Sequence, residues 1–459
     1  MRINHMMQRK KILEGLRVVE LGQLIAVPYA TKLLSDMGAE VIRIESANRP
    51  DIYRLSDFYD DRVDGEYWNR AINFNEQNRN KMSLCVELDE GLGDAALKEL
   101  LSISDVFASN FTPRVMKKYG LEYDDLRKIK PDIIVVSSTG YGHSGPWSSF
   151  GAIGFGTEAA SGLSSTTGYK GGGPSQPEIP FPDYAAAEHT VFGILSALIY
   201  RQETGRGQFI SVSQAETVTS TIPESVLSYT ANQVKVEPIG NDHYEIPLHG
   251  CFRCKGKDDW ITIVADSDLE WRNLMEILFP DCDDRKFENY EQRKLNRDEL
   301  HRIVSAETIK HDKVSLMKTL QDHGVRAGAV LNGEELLFNE HLKSRNFFEI
   351  VNHDLTTGIP PLPYPSRPWK IKSTVGIDSD PPPTLGQDNH FISTKLLGQS
   401  TEHYEYMSEN KIFSSKLEIP VREIEVSRDQ KYSEGTIYKY DPNFENRIKD
   451  QFVTGNDEQ

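Results

Sequence analysis

Leu16-Arg17-Val18-Val19-Glu20-Leu21, then Pro28, a helical window over 29–37, Gly38, and Glu40-Val41-Ile42-Arg43-Ile44-Glu45 form the stretch that decides the fold. Both apolar, β-branched runs read as short strands. Pro28 suits a first helical turn, where its missing N–H costs nothing, and Gly38 can adopt the left-handed conformation that ends a helix. A strand, a helix and a strand in this order make a βαβ unit with parallel strands.

The alternation continues outward. Strands are predicted over 83–88, 105–109 and 133–138, with a helix over 91–103. A long helix over 184–200 precedes a strand over 208–213 and a helix over 215–229. This order predicts an α/β fold with a Rossmann-like large domain. The turn formers of 238–249 break the alternation, and a smaller inserted unit begins near Cys251, with a strand over 260–264 and a helix over 269–278. The polar stretch 281–316 reads as a surface helix pair, and the prolines of 360–383 as an extended segment. We assign 12–235 to the first part of the large domain, 240–350 to the small domain, 351–413 to the return into the large domain, and 414–459 to a charged tail that is mobile or wraps a partner subunit.

The 459 residues are 38% apolar and 26% charged, ordinary values for a globular protein. A formal net charge of −17 disfavours nucleic acid and anionic membrane as partners and requires any polyanionic ligand to find a local basic pocket. The apolar run 191–200 is too short to span a bilayer, and the basic start, 1–11, lacks a following signal-peptide core, so a cytoplasmic location is expected. Cys85, Cys251, Cys254 and Cys282 are too few for a disulfide framework, and the Cys251-x-x-Cys254 pair, with no second pair to complete a structural zinc site, reads as a coincidence at a strand end.

Leu21-Gly22-Gln23-Leu24-Ile25-Ala26-Val27-Pro28 lacks the G-x-G-x-x-G of a dinucleotide site, and neither G-x-S-x-G nor H-E-x-x-H occurs. No metal and no permanently bound cofactor is predicted. Ser137-Ser138-Thr139-Gly140-Tyr141-Gly142-His143-Ser144-Gly145-Pro146 ends a strand in glycines that allow close backbone approach to a ligand. In Phe181-Pro182-Asp183-Tyr184-Ala185-Ala186-Ala187, Asp183 precedes the first turn of a long apolar helix that Arg201 and Gly205 close. The local pattern reads as an N-cap; it also suits an anionic nucleophile held ionised by the helix dipole.

Taken together, the segments resemble the class III CoA-transferase family, which includes formyl-CoA:oxalate and carnitine CoA-transferases and α-methylacyl-CoA racemases. The ordered series runs through Leu13-Glu14-Gly15-Leu16-Arg17-Val18-Val19-Glu20-Leu21-Gly22-Gln23 and Ser35-Asp36-Met37-Gly38-Ala39-Glu40-Val41-Ile42-Arg43-Ile44-Glu45. It continues through Asn78-Arg79-Asn80-Lys81, Asn110-Phe111-Thr112-Pro113, the 138–146 loop, Asp183-Tyr184 and Thr204-Gly205-Arg206-Gly207-Gln208. Gly240-Asn241, His249-Gly250, Gly324-Val325-Arg326-Ala327-Gly328-Ala329-Val330 and Leu385-Gly386-Gln387 complete it.

The resemblance implies a homodimer of interlocked subunits, with a heteromer of related chains as the alternative. It implies transfer of coenzyme A from an acyl-CoA thioester to an organic acid, with Asp183 as the nucleophile, passing through an aspartyl anhydride and an aspartyl-CoA thioester. Coenzyme A is then a substrate moiety. By family position Lys118 meets a CoA phosphate, Asn110, Phe111 and Thr112 line its path, and Val86 lies beside adenine. Thr139, Gly140, Tyr141 and Gly142 are the candidate oxyanion donors, and Arg79 and Lys81 are candidate supporting cations, although a Lys or Arg is in most cases a solvated surface charge.

Departures from the family pattern carry information. Ile25, with Ala26 in the substrate pocket, stands where some members have glutamine, which implies a larger, less polar acyl group. Ser46 stands where many have a CoA-contacting arginine, leaving Arg49 or Arg54 as substitutes, and the glycine run that covers the intermediate in formyl-CoA transferase is missing from 238–249. A racemase, the first alternative, needs a histidine opposite Asp183. None occurs in 145–158, although His143 and His189 are near in sequence. A non-catalytic CoA-binding subunit is the second alternative, and retention of Asp183 speaks against it.

Overall fold

The computed structural model describes residues 11–280, 285–371, 379–419, 428–437 and 439–453. The chain divides into two compact units. The first takes the residues up to Ser161, Pro177–Pro223 and those from Asn346 onward; the second takes Gly162–Gln176 and Glu224–Arg345.

In the first unit, the opening stretch forms β1 (Arg17–Leu21), α1 (Ala26–Ser35) and β2 (Glu40–Glu45), with Gly38 at φ +96° between helix and strand. There follow β3 (Lys81–Cys85), α2 (Gly91–Ser102), β4 (Val106–Ser109), α3 (Pro113–Lys118), β5 (Ile134–Thr139), α4 (Gly154–Ser161), α5 (Phe181–Thr204), β6 (Phe209–Ser213) and α6 (Gln214–Thr219). The six strands form one parallel sheet in the order β3-β2-β1-β4-β5-β6. Val19, for example, pairs with Ile42 on one side and Phe107 on the other. The strand order reverses between β1 and β4, and sheets of this kind bind ligands beyond the strand C-termini beside that reversal.

The apolar runs follow from burial of both sheet faces. Val19, Ile42, Ile44, Phe107 and Val135 pack beneath Leu97, Leu100 and Leu101 of α2. Val18, Val41, Val106 and Ile134 pack beneath Leu34 of α1 and Ile194 and Ala197 of α5. The exposed edge of β3 is covered by the returning chain. Ser83 N–H donates to Asp388 Oδ2 and Cys85 N–H to Asn389 Oδ1, both at 2.8 Å, and Val86 bridges to Phe413. Covering the edge removes a template for unwanted strand pairing.

The expected helix over 215–229 is two helices. α6 ends at Thr219, and α7 (Pro223–Asn232) starts afresh at a proline that cannot donate to the preceding turn and disfavours a helical Ile222.

The second unit contains β7 (Leu248–Arg253), β8 (Trp260–Ala265), α8 (Asp268–Leu278), α9 (Arg297–Thr308), α10 (Lys313–Asp322) and β9 (Arg326–Ala329). Its strands form an antiparallel β7-β8-β9 sheet. The stretch expected to be a surface helix pair contributes to the core instead, because Leu300, Val304 and Leu316 are buried with Ile261, Ile263 and Leu274, joined by Leu320 one turn beyond it. One narrow apolar stripe per helix is sufficient when the opposite face is charged.

After the return to the first unit, β10 (Phe348–Val351) and β11 (Leu362–Pro365) pair antiparallel. In the tail, Arg428 and Lys431 form ion pairs with Asp60 and Asp61, and Phe444 lies 6.4 Å from the Tyr59 ring. Five expectations fall partly or wholly outside the described residues: the basic start, Cys282, 281–284 of the polar stretch, 372–378 of the extended segment, and 420–427, 438 and 454–459 of the tail. No helix among the described residues is long and apolar enough to cross a membrane.

Candidate active site

Asp183 lies within the first turn of α5, not at its cap. The helix begins at Phe181, three residues earlier than the local pattern suggested, with Pro182 in its first turn. The carboxylate is therefore not occupied with capping. Its Oδ1 accepts a 2.9 Å hydrogen bond from Gln214 Nε2, at the start of α6. Gln214 is itself buried, and its Oε1 accepts from Thr157 Oγ1 of α4 at 3.1 Å.

Asp183 is only 8% exposed, and its pKa is pushed up to about 6 by burial, with the Gln214 hydrogen bond working against that rise. Its other oxygen faces Gly154, where a Cβ would lie 2.2 Å from Oδ2. Glycine at that position leaves the carboxylate its place. Nearby, Tyr53 is pushed up to about 12, first by burial and then by the charges of Tyr184 and Asp183. At the far end of the helix Gly205, at φ +70°, returns its N–H to Arg201 O at 2.8 Å, the C-terminal stop that the sequence predicts.

The glycine loop after β5 approaches the same set of residues. A Cβ on Gly140 would meet Thr157 Cγ2 at 3.0 Å and Ala152 Cβ at 2.4 Å, so only glycine permits this approach. Gly140 O accepts from Ala215 N–H at 3.0 Å. Thr139 and Ser138 contribute buried hydroxyls without a partner among the described residues. Gly142 turns at φ +83°, and the Tyr141 ring packs edge-on against Trp147 at 5.5 Å. Ile25 and Ala26 are buried at the start of α1, which meets α5 through an edge-to-face Tyr29–Tyr184 contact at 5.0 Å.

Val86 and Phe111 line a pocket at the C-terminal ends of β1, β2 and β3, together with Gly22, Ile44, Leu88 and Val115. Asn110 does not point freely into it: its side chain accepts from Gln23 N–H at 3.0 Å and donates to Gln23 O at 2.7 Å, tying β4 to the loop after β1. The next residue, Leu24, is held at φ +60° by two hydrogen bonds from its N–H to the Asp51 carboxylate. Thr112 caps α3 through its backbone. Lys118, at the end of α3, forms an ion pair with Asp89, a pocket residue, and Arg49 reaches the same carboxylate at 3.0 Å. Two cations thus share one anion at the pocket rim.

Other candidate cations belong elsewhere. Arg54 is fully buried, donating to both oxygens of Glu45 at 2.8 and 2.7 Å, so of the two proposed substitutes for the missing arginine only Arg49 reaches the pocket. Lys81 is buried and donates to Glu20 at 2.8 Å, to Pro28 O at 2.7 Å and to Asn78 at 2.9 Å; burial lowers its pKa to about 8. Arg79 is buried and donates to Pro365 O at 2.8 Å. Neither is a solvated surface charge.

The histidines do not meet Asp183. His143 lies near Ser137 and Phe209, on the sheet face opposite α5, and His189 turns its Nδ1 to Ala185 O of its own helix at 2.9 Å. Among the described residues no group of three or more His, Cys, Asp or Glu side chains could hold a metal ion.

Gln214, Thr157, Gly154 and Tyr53 are site residues that reading the sequence did not single out. The contact between Gln214 and Asp183 spans 31 positions, and a glutamine after a strand carries no local signal.

The family model of CoA-transferase family III matches residues 13–389, and the chain belongs to that family of enzymes. A succinyl-CoA:glutarate CoA-transferase of Mus musculus is 30% identical over 392 residues, covering 84% of this chain and 87% of its own. A probable CoA-transferase of Mycobacterium tuberculosis is 30% identical over 408 residues, which is 87% of this chain and 50% of that relative, so the chain spans about half its length. The crystal structure of a CAIB/BAIF family protein from Brucella suis superposes with a TM-score of 0.76 at 26% identity, covering 84% of this chain and all of the other.

Proposed function

We propose that this protein moves coenzyme A from an acyl-CoA to an organic acid, with Asp183 as the covalent carrier. The observation that carries the reading is a carboxylate withdrawn from water yet engaged, among the described residues, by a single hydrogen-bond donor, Gln214. A desolvated carboxylate attacks a thioester more readily than a hydrated one, and a covalent intermediate divides one difficult exchange into matched steps. In the first step Asp183 adds to the thioester carbonyl and CoA leaves as thiolate, giving an anhydride. The thiolate then adds to Asp183 Cγ and expels the first acid, leaving CoA on the enzyme as a thioester. The acceptor acid displaces it through a second anhydride, and CoA returns onto the new acyl carbon.

Val86 and Phe111 offer apolar surface for adenine, while Arg49 and Lys118 offer charge for phosphate, releasing Asp89 as the ligand enters. The Thr139–Gly142 loop borders the substrate side, and the buried, apolar Ile25 favours an acyl group less polar than formate or oxalate. The second compact unit corresponds to the family's smaller domain, and α5 presents Phe192 at 73% and Ile199 at 62% exposure, a face suited to a second subunit. A cytoplasmic setting accords with the free cysteines Cys85, Cys251 and Cys254.

Screening acyl-CoA donors against organic acids, with Asp183→Ala as control, tests the reading. CoA exchange that vanishes in the variant while CoA binding persists supports it; full exchange in the variant defeats it.

A further inference from the structure

We propose that Gln214 is a catalytic residue: its side-chain amide is the oxyanion donor for the Asp183 carbonyl in the covalent intermediates, and it selects Oδ2 as the attacking oxygen. The proposal rests on Asp183 being the covalent carrier and goes beyond it by giving the two carboxylate oxygens different duties.

The orientation of the amide is fixed by its surroundings. Thr157 Oγ1 donates to Oε1 at 3.1 Å, and Thr157 is itself fully buried. Nε2 therefore points at Asp183; the flipped amide would set its oxygen against Oδ1, two acceptors face to face, while the Thr157 hydroxyl, which also lies 2.9 Å from Gly154 O, would gain nothing in exchange. Burial of Gln214 prevents water from taking the amide's place. Oδ1 is the oxygen so held, at 2.9 Å, while Oδ2 accepts no hydrogen bond among the described residues and borders the side-chain-free space at Gly154. The unbonded oxygen keeps its lone pairs for attack.

The chemistry follows atom by atom. A lone pair of Oδ2 adds to the thioester carbonyl carbon, the C–S bond breaks, and CoA leaves with that electron pair. Oδ2 is now the bridging oxygen of the anhydride, and Oδ1 is the aspartyl carbonyl oxygen. When the thiolate adds to Cγ, the Cγ–Oδ1 π pair moves onto Oδ1, and the new charge arises on the atom that Gln214 already contacts. Collapse restores the carbonyl and breaks Cγ–Oδ2, so the first acid departs carrying Oδ2. Attack of the acceptor acid on the aspartyl thioester places charge on Oδ1 again. A donor preorganised at this position acts in both steps without rearrangement, and loss of one such donor costs about 10²–10³-fold in kcat. The glycine loop makes different contacts: Gly140 offers its carbonyl to Ala215, and His143 N–H goes to Ser211 Oγ at 3.0 Å.

The test is rapid mixing of acyl-CoA with the parent, Gln214→Leu and Thr157→Val proteins, following free CoA thiol, overall exchange and hydroxylamine-trapped Asp183. Formation of the anhydride does not require the donor on Oδ1, whereas its breakdown by thiolate does. Gln214→Leu is expected to release about one equivalent of CoA in a burst, with overall exchange about 10²–10³-fold slower. Thr157→Val, which retains the amide but frees it to turn, is expected to show the same burst with a loss of about three- to tenfold. Exchange by Gln214→Leu within threefold of the parent, or slowing without a burst, overturns the proposal. If Gln214→Leu does not fold, unchanged kinetics in Thr157→Val overturn it. Failure to trap Asp183 in the parent would instead overturn the covalent reading itself, so the two failures are told apart.

Discussion

Gly154→Ala tests the geometry with the smallest possible addition. A Cβ at that position would lie 2.2 Å from Asp183 Oδ2 and 2.7 Å from Pro180 Cβ, whereas real Cβ contacts essentially never fall below 3.0 Å. The carboxylate cannot retreat freely, because Oδ1 is held by Gln214 and the residue is fixed in the first turn of α5. Restoring contact distance displaces the nucleophile by about 1 Å, a misplacement that costs about 100-fold in rate. Overpacking adds about 1–3 kcal/mol of destabilisation. Steady-state CoA exchange, thermal unfolding and CoA titration calorimetry read the three quantities separately. The expected result is kcat reduced about 100-fold, a modestly lower Tm and an unchanged Kd for CoA, since the pocket at β1, β2 and β3 contains neither Gly154 nor Asp183. Parental kcat in a folded Gly154→Ala protein would refute the reasoning.

Asp183→Asn should be inactive and more stable than the parent at pH 8. Burial raises the folded-state pKa from its ordinary 3.8 to about 6, so the ionised carboxylate costs up to about 3 kcal/mol above pH 6 and nothing below about 3.8. Urea unfolding at pH 8 and again near pH 4 should show a gain that disappears on acidification; equal stability at pH 8 would contradict the burial. Lys118→Ala and Arg49→Ala should each weaken CoA binding about 5–10-fold with little change in kcat, as expected for charged groups at an exposed rim. An unchanged Kd removes the residue from the site. Arg54→Met should behave differently, losing about 3–5 kcal/mol of stability, because its enclosed guanidinium donates to both oxygens of Glu45 and its loss leaves that buried carboxylate only Arg43 Nε at 3.4 Å and the Ser83 hydroxyl.

The βαβ opening was legible because its strands are covered on both faces and its helix carries its own punctuation, Pro28 and Gly38. Gly205 was legible for the same local reason. Local chemistry was overlooked at Pro223, which splits a predicted helix, and at Phe181, where α5 starts early enough to release Asp183 from capping. The fates of Lys81, Arg79 and Arg54 were beyond local reading. Lys81 is buried against Glu20, 61 positions away, and Arg54 donates to Pro383, 329 positions away. A charge looks like surface until the fold supplies its partner. Gln214 was hidden likewise, since its significance exists only once α5 and α6 lie side by side. The family resemblance drew attention to Asp183 itself; its neighbours required coordinates.

The most direct measurement is the mass of the tryptic peptide from Gly171 to Arg201 after the protein is mixed with acyl-CoA and quenched with hydroxylamine. The predicted result is a hydroxamate located at Asp183, dependent on acyl-CoA and absent from Asp183→Asn. Catalytically active protein that gives an unmodified peptide under the same quench would contradict covalent transfer through this carboxylate.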